Sequence, residues 1–208
     1  MVPEGAAVPV AVLGPPSLLL TSLVAALRCH GHPAELLASG SAFGDARPGV
    51  LIVDLGPPRA VETIPRAVAA GWTVIAVGAW ACVDRAAAAV VAGAQAWAST
   101  DTPFADLAQL VVAGPGLRMG EAERSRWHEV HAGAEAERAG RVERLRRLSR
   151  REREVLRLLA EGRRAADIAD DLFVALATVR THIRSILVKL EVNAQDQAIT
   201  VYRDAGGH

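Results

Sequence analysis

Residues 148–190 read LSRREREVLRLLAEGRRAADIADDLFVALATVRTHIRSILVKL, and the fold of the C-terminal part is decided in this stretch. Ser149 opens a capping box. Its hydroxyl can accept from the Glu152 amide while the Glu152 carboxylate reaches back to the Ser149 amide. Val155, Leu156 and Leu159 follow at helical spacing, and Gly162 suits the left-handed residue that closes a helix. A second helix is predicted over Ala165–Leu172, with Ile168, Ala169 and Leu172 turned inward. Phe173, Val174 and Ala175 make a short turn. A third helix is predicted over Ala177–Leu190, with Val179, Ile183, Ile186, Leu187 and Leu190 buried, and a fourth over Ala194–Tyr202.

Two helices joined by a tight turn can stand on a duplex, with the second lying in the major groove. The exposed face of that second helix must carry donors. Arg180, Thr181 and Arg184 lie on one side of it, three to four residues apart. An arginine can bond bidentately to guanine, at about 1–3 kcal/mol of discrimination per good pair. Thr178, His182 and Lys189 are better placed as phosphate or framework residues. The expected partner is double-stranded DNA.

Residues 148–156, Gly162, Asp167-Ile168-Ala169, Leu172-Phe173-Val174 and Thr178-Val179-Arg180-Thr181-His182-Ile183 together resemble the LuxR/NarL-type helix-turn-helix. Lys189-Leu190-Glu191-Val192 continues the match, which covers nearly all of residues 146–203. The resemblance implies DNA binding as a homodimer, with the third helix reading bases through Arg180, Thr181 and Arg184 and the fourth contributing to dimerisation. Three positions depart from the family pattern: Arg164 and Ala175 stand where a hydroxyl residue usually caps a helix, and Ala177 where a polar or basic residue is common. A lost cap costs about 1 kcal/mol. The departures imply weaker or differently specific DNA contacts.

The first half alternates short apolar runs with Ala-rich helical stretches. Strands are predicted at Val8–Leu13, Val50–Val53, Thr73–Val77 and Ala94–Ala98, with a weaker one at Ala34–Ala38. Helices are predicted at Ser17–Cys29, Ala60–Ala70, Asp84–Ala92 and Pro103–Val112. Near-continuous apolar strands alternating with helices argue for a parallel sheet covered on both faces. Val50-Leu51-Ile52-Val53-Asp54 resembles the strand that ends in the phosphoacceptor aspartate of a receiver domain. Gly93-Ala94-Gln95-Ala96-Trp97 resembles the entry to the receiver's last strand, with Trp97 where that family keeps a mobile aromatic. The resemblance implies an α/β fold, a flavodoxin-like five-stranded parallel sheet, followed by an all-α helix-turn-helix domain. Residues 6–114 are expected to form the receiver-like domain, 115–146 a helical linker and 147–208 the helix-turn-helix domain.

The receiver-like domain is expected to be degenerate. Aspartyl phosphorylation needs Mg²⁺, held by an acid pair, which neutralises phosphoryl oxygens. A hydroxyl residue and a Lys complete the site. Here the acid pair aligns with Gly14 and Pro15, the hydroxyl position with Gly78 and the Lys position with Thr100. Residues 5–27 contain no acid, so a slip in alignment does not restore the pair. Asp54 alone remains, read as a remnant acid at the sheet edge. The expected protein is an atypical response regulator independent of aspartyl phosphorylation. Its control would come from a small ligand in the degenerate pocket around Gly14, Pro15, Gly78 and Thr100, from a protein partner, or from expression level. The alternative is an interaction or ligand-sensing module whose DNA binding is vestigial.

Composition is consistent with this. The chain has 208 residues, of which 51% are hydrophobic, enough for packed cores. Formal net charge is zero, but residues 1–116 carry 5 Arg against 8 acids, and residues 117–208 carry 18 Lys plus Arg against 15 acids. Cys29 and Cys82 are the only cysteines, too few for a disulfide framework or zinc site, and are read as small buried hydrophobes in a reducing cytoplasm. Pro9, Gly14, Pro15 and Pro16 interrupt the uncharged stretch 5–27, so no membrane span is expected. His30, His32, His128 and His131 lack an HExxH or paired-carboxylate context and are read as solvated. Neither an enzyme nor a cofactor or metal is expected. The linker, rich in Arg, Glu and Ala, is either a solvated spacer or a helix that pairs with its copy, Val142, Leu145 and Leu148 recurring every three residues.

Overall fold

A computed structural model describes residues 8–37 and 48–205. The chain divides into two compact units, Met1–Ala132 and Gly133–His208.

In the first unit, strands β1 (Val10–Leu13), β2 (Ala34–Leu37), β3 (Val50–Asp54), β4 (Thr73–Gly78) and β5 (Ala96–Ser99) form one sheet in the order β2-β1-β3-β4-β5. Every neighbouring pair is parallel, with Val10 opposite both Ala34 and Val50. This is the flavodoxin-like order of doubly wound sheets. Alternation along each strand feeds two cores. Val10, Val12, Val50, Ile52, Ile75 and Val77 face α1 (Leu18–Cys29) and α4 (Phe104–Ala113). Ala11, Leu13, Leu51, Val53, Val74 and Ala76 face α2 (Ile64–Ala69) and α3 (Val83–Val91). Burial on both faces explains why these strands read as unbroken apolar runs.

Several boundaries differ from the sequence reading for local reasons. The predicted helix at Ala60–Ala70 opens with a 3-10 turn at Val61–Thr63, and α2 starts only at Ile64, with Pro65 in its first turn. β5 starts at Ala96 rather than Ala94. Gly93, at φ 113°, ends α3, and Gln95 leaves the helix to accept a hydrogen bond from the Val74 amide at 2.6 Å. The strand predicted to Ala38 runs to Leu37, and Ala38 lies outside the described residues. Cys29 is exposed and Cys82 half-buried, so the expectation of two buried cysteines is corrected. In α1 the buried stripe is Leu20, Val24 and Leu27, and Cys29 falls off it. His30 and His128 are exposed, but His32 and His131 are half-buried, and His32 Nδ1 has no hydrogen-bond partner among the described residues. Asp54 ends the central strand and is not on an edge strand.

Helix α5 (Glu121–Arg146) runs 26 residues without a buried side chain. Its Trp127 meets Trp97 of β5 edge-on, with ring centroids 5.6 Å apart, and Trp97 meets Trp80 at 4.7 Å. No helix among the described residues is long and apolar enough to cross a membrane.

In the second unit α6 (Arg150–Ala160), α7 (Ala165–Asp171), α8 (Leu176–Leu190) and α9 (Gln195–Asp204) surround a third core. Leu148, Val155, Leu156, Ile168, Ile186 and Leu190 lie at its centre.

Candidate nucleic-acid interface

The position of α8 is set from α6. Ser149 Oγ accepts from the Glu152 amide at 3.2 Å, and the Glu152 carboxylate accepts from the Ser149 amide at 2.6 Å. The same carboxylate, 4% exposed, receives the Lys189 ammonium at 2.7 and 2.8 Å and the Ser185 hydroxyl at 2.6 Å, both from α8. Burial alone would raise its pKa. The bonds from Lys189, Ser185 and Ser149 outweigh burial and lower it from 4.5 to about 2. One carboxylate thus caps α6 and ties it to α8. The capping box was legible in the sequence. The link to residues more than thirty positions away was not, since no local pattern carries it.

The turn between α7 and α8 is held from the backbone. The Val174 amide donates to the Ala169 carbonyl at 3.0 Å, and Arg151 donates to the Leu172 carbonyl at 2.8 Å. Phe173 takes φ 53° and is 95% exposed. The missing caps are visible. Ala175 offers no side-chain bond to α8. At Arg164 only half a capping box exists: Asp167 accepts from the Arg164 amide at 3.3 Å, and an arginine side chain has no acceptor to return.

Along α8, Val179, Ile186 and Leu190 are buried, with Ile183 and Leu187 half-buried. This orientation turns Thr178, Arg180, Thr181 and Arg184 to solvent, and His182 is half-buried. Thr181 donates its hydroxyl to the Ala177 carbonyl at 3.0 Å. Elsewhere in this unit some arginines are paired, half-buried Arg151 with Glu154 at 2.8 Å and exposed Arg163 with Asp171 at 2.6 Å, while Arg147, Arg150, Arg153 and Arg164 are exposed without an ion pair among the described residues. Arg180 and Arg184 make no ion pair among the described residues, so their guanidiniums remain available to an outside partner. Lys189 differs from these, because its ammonium is spent on Glu152.

The second candidate group lies at the carboxyl end of the sheet. Asp54 Oδ1 accepts from the Gly56 amide at 2.9 Å. A Cβ at Gly14 would come within 2.4 Å of Leu20 Cδ1 and 3.0 Å of Asp54 Cβ. Buried Leu20 thus occupies the space where a side chain at position 14 would begin. A Cβ at Gly78 would stand 3.2 Å from Leu55 Cβ, and Gly78 accepts from the Thr100 amide at 3.0 Å. Pro15 and Thr100 are exposed. Gly14 and Asp54 therefore adjoin one another, as do Gly78 and Thr100. No cluster of three His, Cys, Asp or Glu residues suited to a metal occurs among the described residues.

The chain combines a flavodoxin-like parallel sheet with a helix-turn-helix unit. Residues 146–202 match the family described as bacterial regulatory proteins, luxR family. The spore germination protein GerE of Bacillus subtilis (strain 168) is 42% identical over 52 residues, covering 25% of this chain and 70% of GerE. The chain belongs to the luxR family of bacterial regulatory proteins. The transcriptional regulatory protein LiaR of the same organism is 47% identical over 51 residues, but the match spans only 24% of this chain and 24% of LiaR. A longer match, 27% identical over 173 residues, covers 81% of this chain and 79% of the uncharacterized transcriptional regulatory protein YhcZ of B. subtilis (strain 168). Among solved structures, full-length FixJ from B. japonicum aligns over 96% of this chain and 97% of its own, at 18% identity and a TM-score of 0.45.

Proposed function

We propose that this protein is a transcription regulator that binds double-stranded DNA as a homodimer, with α8 in the major groove. The observation that carries the reading is the outward face of α8, where Arg180 and Arg184 stand exposed without an ion pair among the described residues. With Thr181 between them, they are the base-reading set. Thr178 and His182 serve the phosphates. Lys189 acts through Glu152 to hold α8 in place. Membership of the luxR family and the names of LiaR and YhcZ support regulation of transcription.

Control of this activity does not run through a phosphate on Asp54. Gly14 and Pro15 bring no carboxylate for Mg²⁺, and Leu20 fills the space beside Gly14. A small molecule or a protein partner at the receiver-like unit is the proposed input.

Genome-wide mapping of bound DNA supplies the operators, and fluorescence anisotropy on them tests the readers. Arg180→Ala and Arg184→Ala are each expected to cost about 1–3 kcal/mol on cognate DNA, with relaxed sequence preference. Unchanged selectivity in both variants would refute the assignment. A full chain with no specific DNA site would favour the interaction module with vestigial DNA contacts.

A further inference from the structure

We propose that the cleft between α1 and α4 binds a small, uncharged, largely apolar molecule bearing one neutral hydrogen-bonding group. The cleft has a volume of about 260 Å³, close to the lower end of ligand pockets. Leu20, Leu23, Phe104 and Leu107 make its apolar wall. Its polar atoms are gathered rather than scattered. Ser99 ends β5, Thr100 and Thr102 follow in the turn after it, and Ser22 lines the cleft from α1. Ser99 is 6% exposed, and its Oγ accepts from the Asp101 amide at 2.9 Å, which leaves its O–H free to donate.

Charge decides the ligand class. No charged side chain is among the described residues that line the cleft. An ion entering such a lining would lose its hydration without gaining a counter-ion, which is costly. A neutral hydroxyl, ketone or amide loses little there, because the hydroxyls of Ser99, Thr100 and Thr102 replace its water. The rest of the molecule covers leucine and phenylalanine surface. Leu19, on the rim, is 55% exposed and would be covered too. The site lies at the carboxyl ends of β4 and β5, where open parallel sheets take their ligands. It shares only Thr100 with the candidate group of Gly14, Pro15, Gly78 and Thr100. The inference concerns the receiver-like unit and stands or falls apart from the DNA reading.

The probe is 2-naphthol, an apolar bicycle with one hydroxyl, and the control is its carboxylate analogue 2-naphthoate. Each is titrated into the full chain while leucine and threonine methyl resonances are followed by NMR. The expected result is saturable shifts at Leu20, Leu23, Thr100 and Thr102 with 2-naphthol, and binding at least about tenfold weaker with 2-naphthoate. Ala26→Phe fills the cleft from α1 and is expected to abolish the shifts. Should that variant fail to fold, Thr102→Val is expected to weaken 2-naphthol by about fivefold with the unfolding midpoint unchanged. Shifts without saturation, shifts centred outside the cleft, or equal binding of the carboxylate would overturn the proposal. So would concentration-dependent shifts of the same methyls without any additive, removed by Leu19→Glu, because the occupant would then be a second copy of the chain.

Discussion

Glu152 illustrates how one buried group can join two helices. Its carboxylate is held by Ser149 on its own helix and by Ser185 and Lys189 on α8. A carboxyl lowered from 4.5 to about 2 is more acidic in the folded state than in the unfolded state. Its contribution, about 3 kcal/mol, is therefore complete above pH 4.5 and is lost as pH falls through about 2. Glu152→Gln removes the charge and leaves the half-buried Lys189 ammonium without its partner. The expected loss is about 2–3 kcal/mol in urea unfolding at pH 7, shrinking as the pH drops toward 2. A pH-independent difference would show that the ion pair is not the cause. The cysteine expectation failed at this same scale for a legible reason. Leu18, Leu19, Leu20, Leu23, Val24 and Leu27 make α1 apolar on most sides, so the sequence alone does not say which face is inward.

At the scale of elements, the helix-turn-helix was legible because its signals are local. The capping box, the apolar spacing and Gly162, found at φ 84°, each act within a few residues. The third helix begins at Leu176, one residue before its expected start, because Ala175 already has the extended backbone of an N-cap. That residue supplies the geometry without the acceptor. Ala175→Ser places a hydroxyl beside the first-turn amides of α8 and is expected to stabilise the protein by about 1 kcal/mol. Thermal unfolding measures it. No gain in midpoint would mean that the Ser hydroxyl prefers water to the helix. The cleft between α1 and α4 was not legible, because its wall and its hydroxyls come from four elements that only the fold assembles.

For the whole molecule, the parallel sheet could be read from strands apolar on both faces. What could not be read was the packing at the carboxyl ends of the strands. Leu20 lies beside Gly14, and Trp97 meets both Trp80 and Trp127 edge-on. Incubating the full chain with acetyl phosphate and Mg²⁺ is expected to change neither its intact mass nor its affinity for operator DNA. A stoichiometric phosphoryl gain lost in Asp54→Asn would restore phosphate as the input. The ion pair under α8 also has a practical consequence. Lys189 is the sole lysine in the sequence, so a lysine-specific protease has one peptide bond to cut. That bond lies near the end of a packed helix, with the lysine side chain held by Glu152. Cleavage must wait for the helix to open, and when opening is fast relative to cutting its rate follows the population of open molecules. Digestion of the native protein into two fragments is thus a built-in clock for the opening of the C-terminal unit.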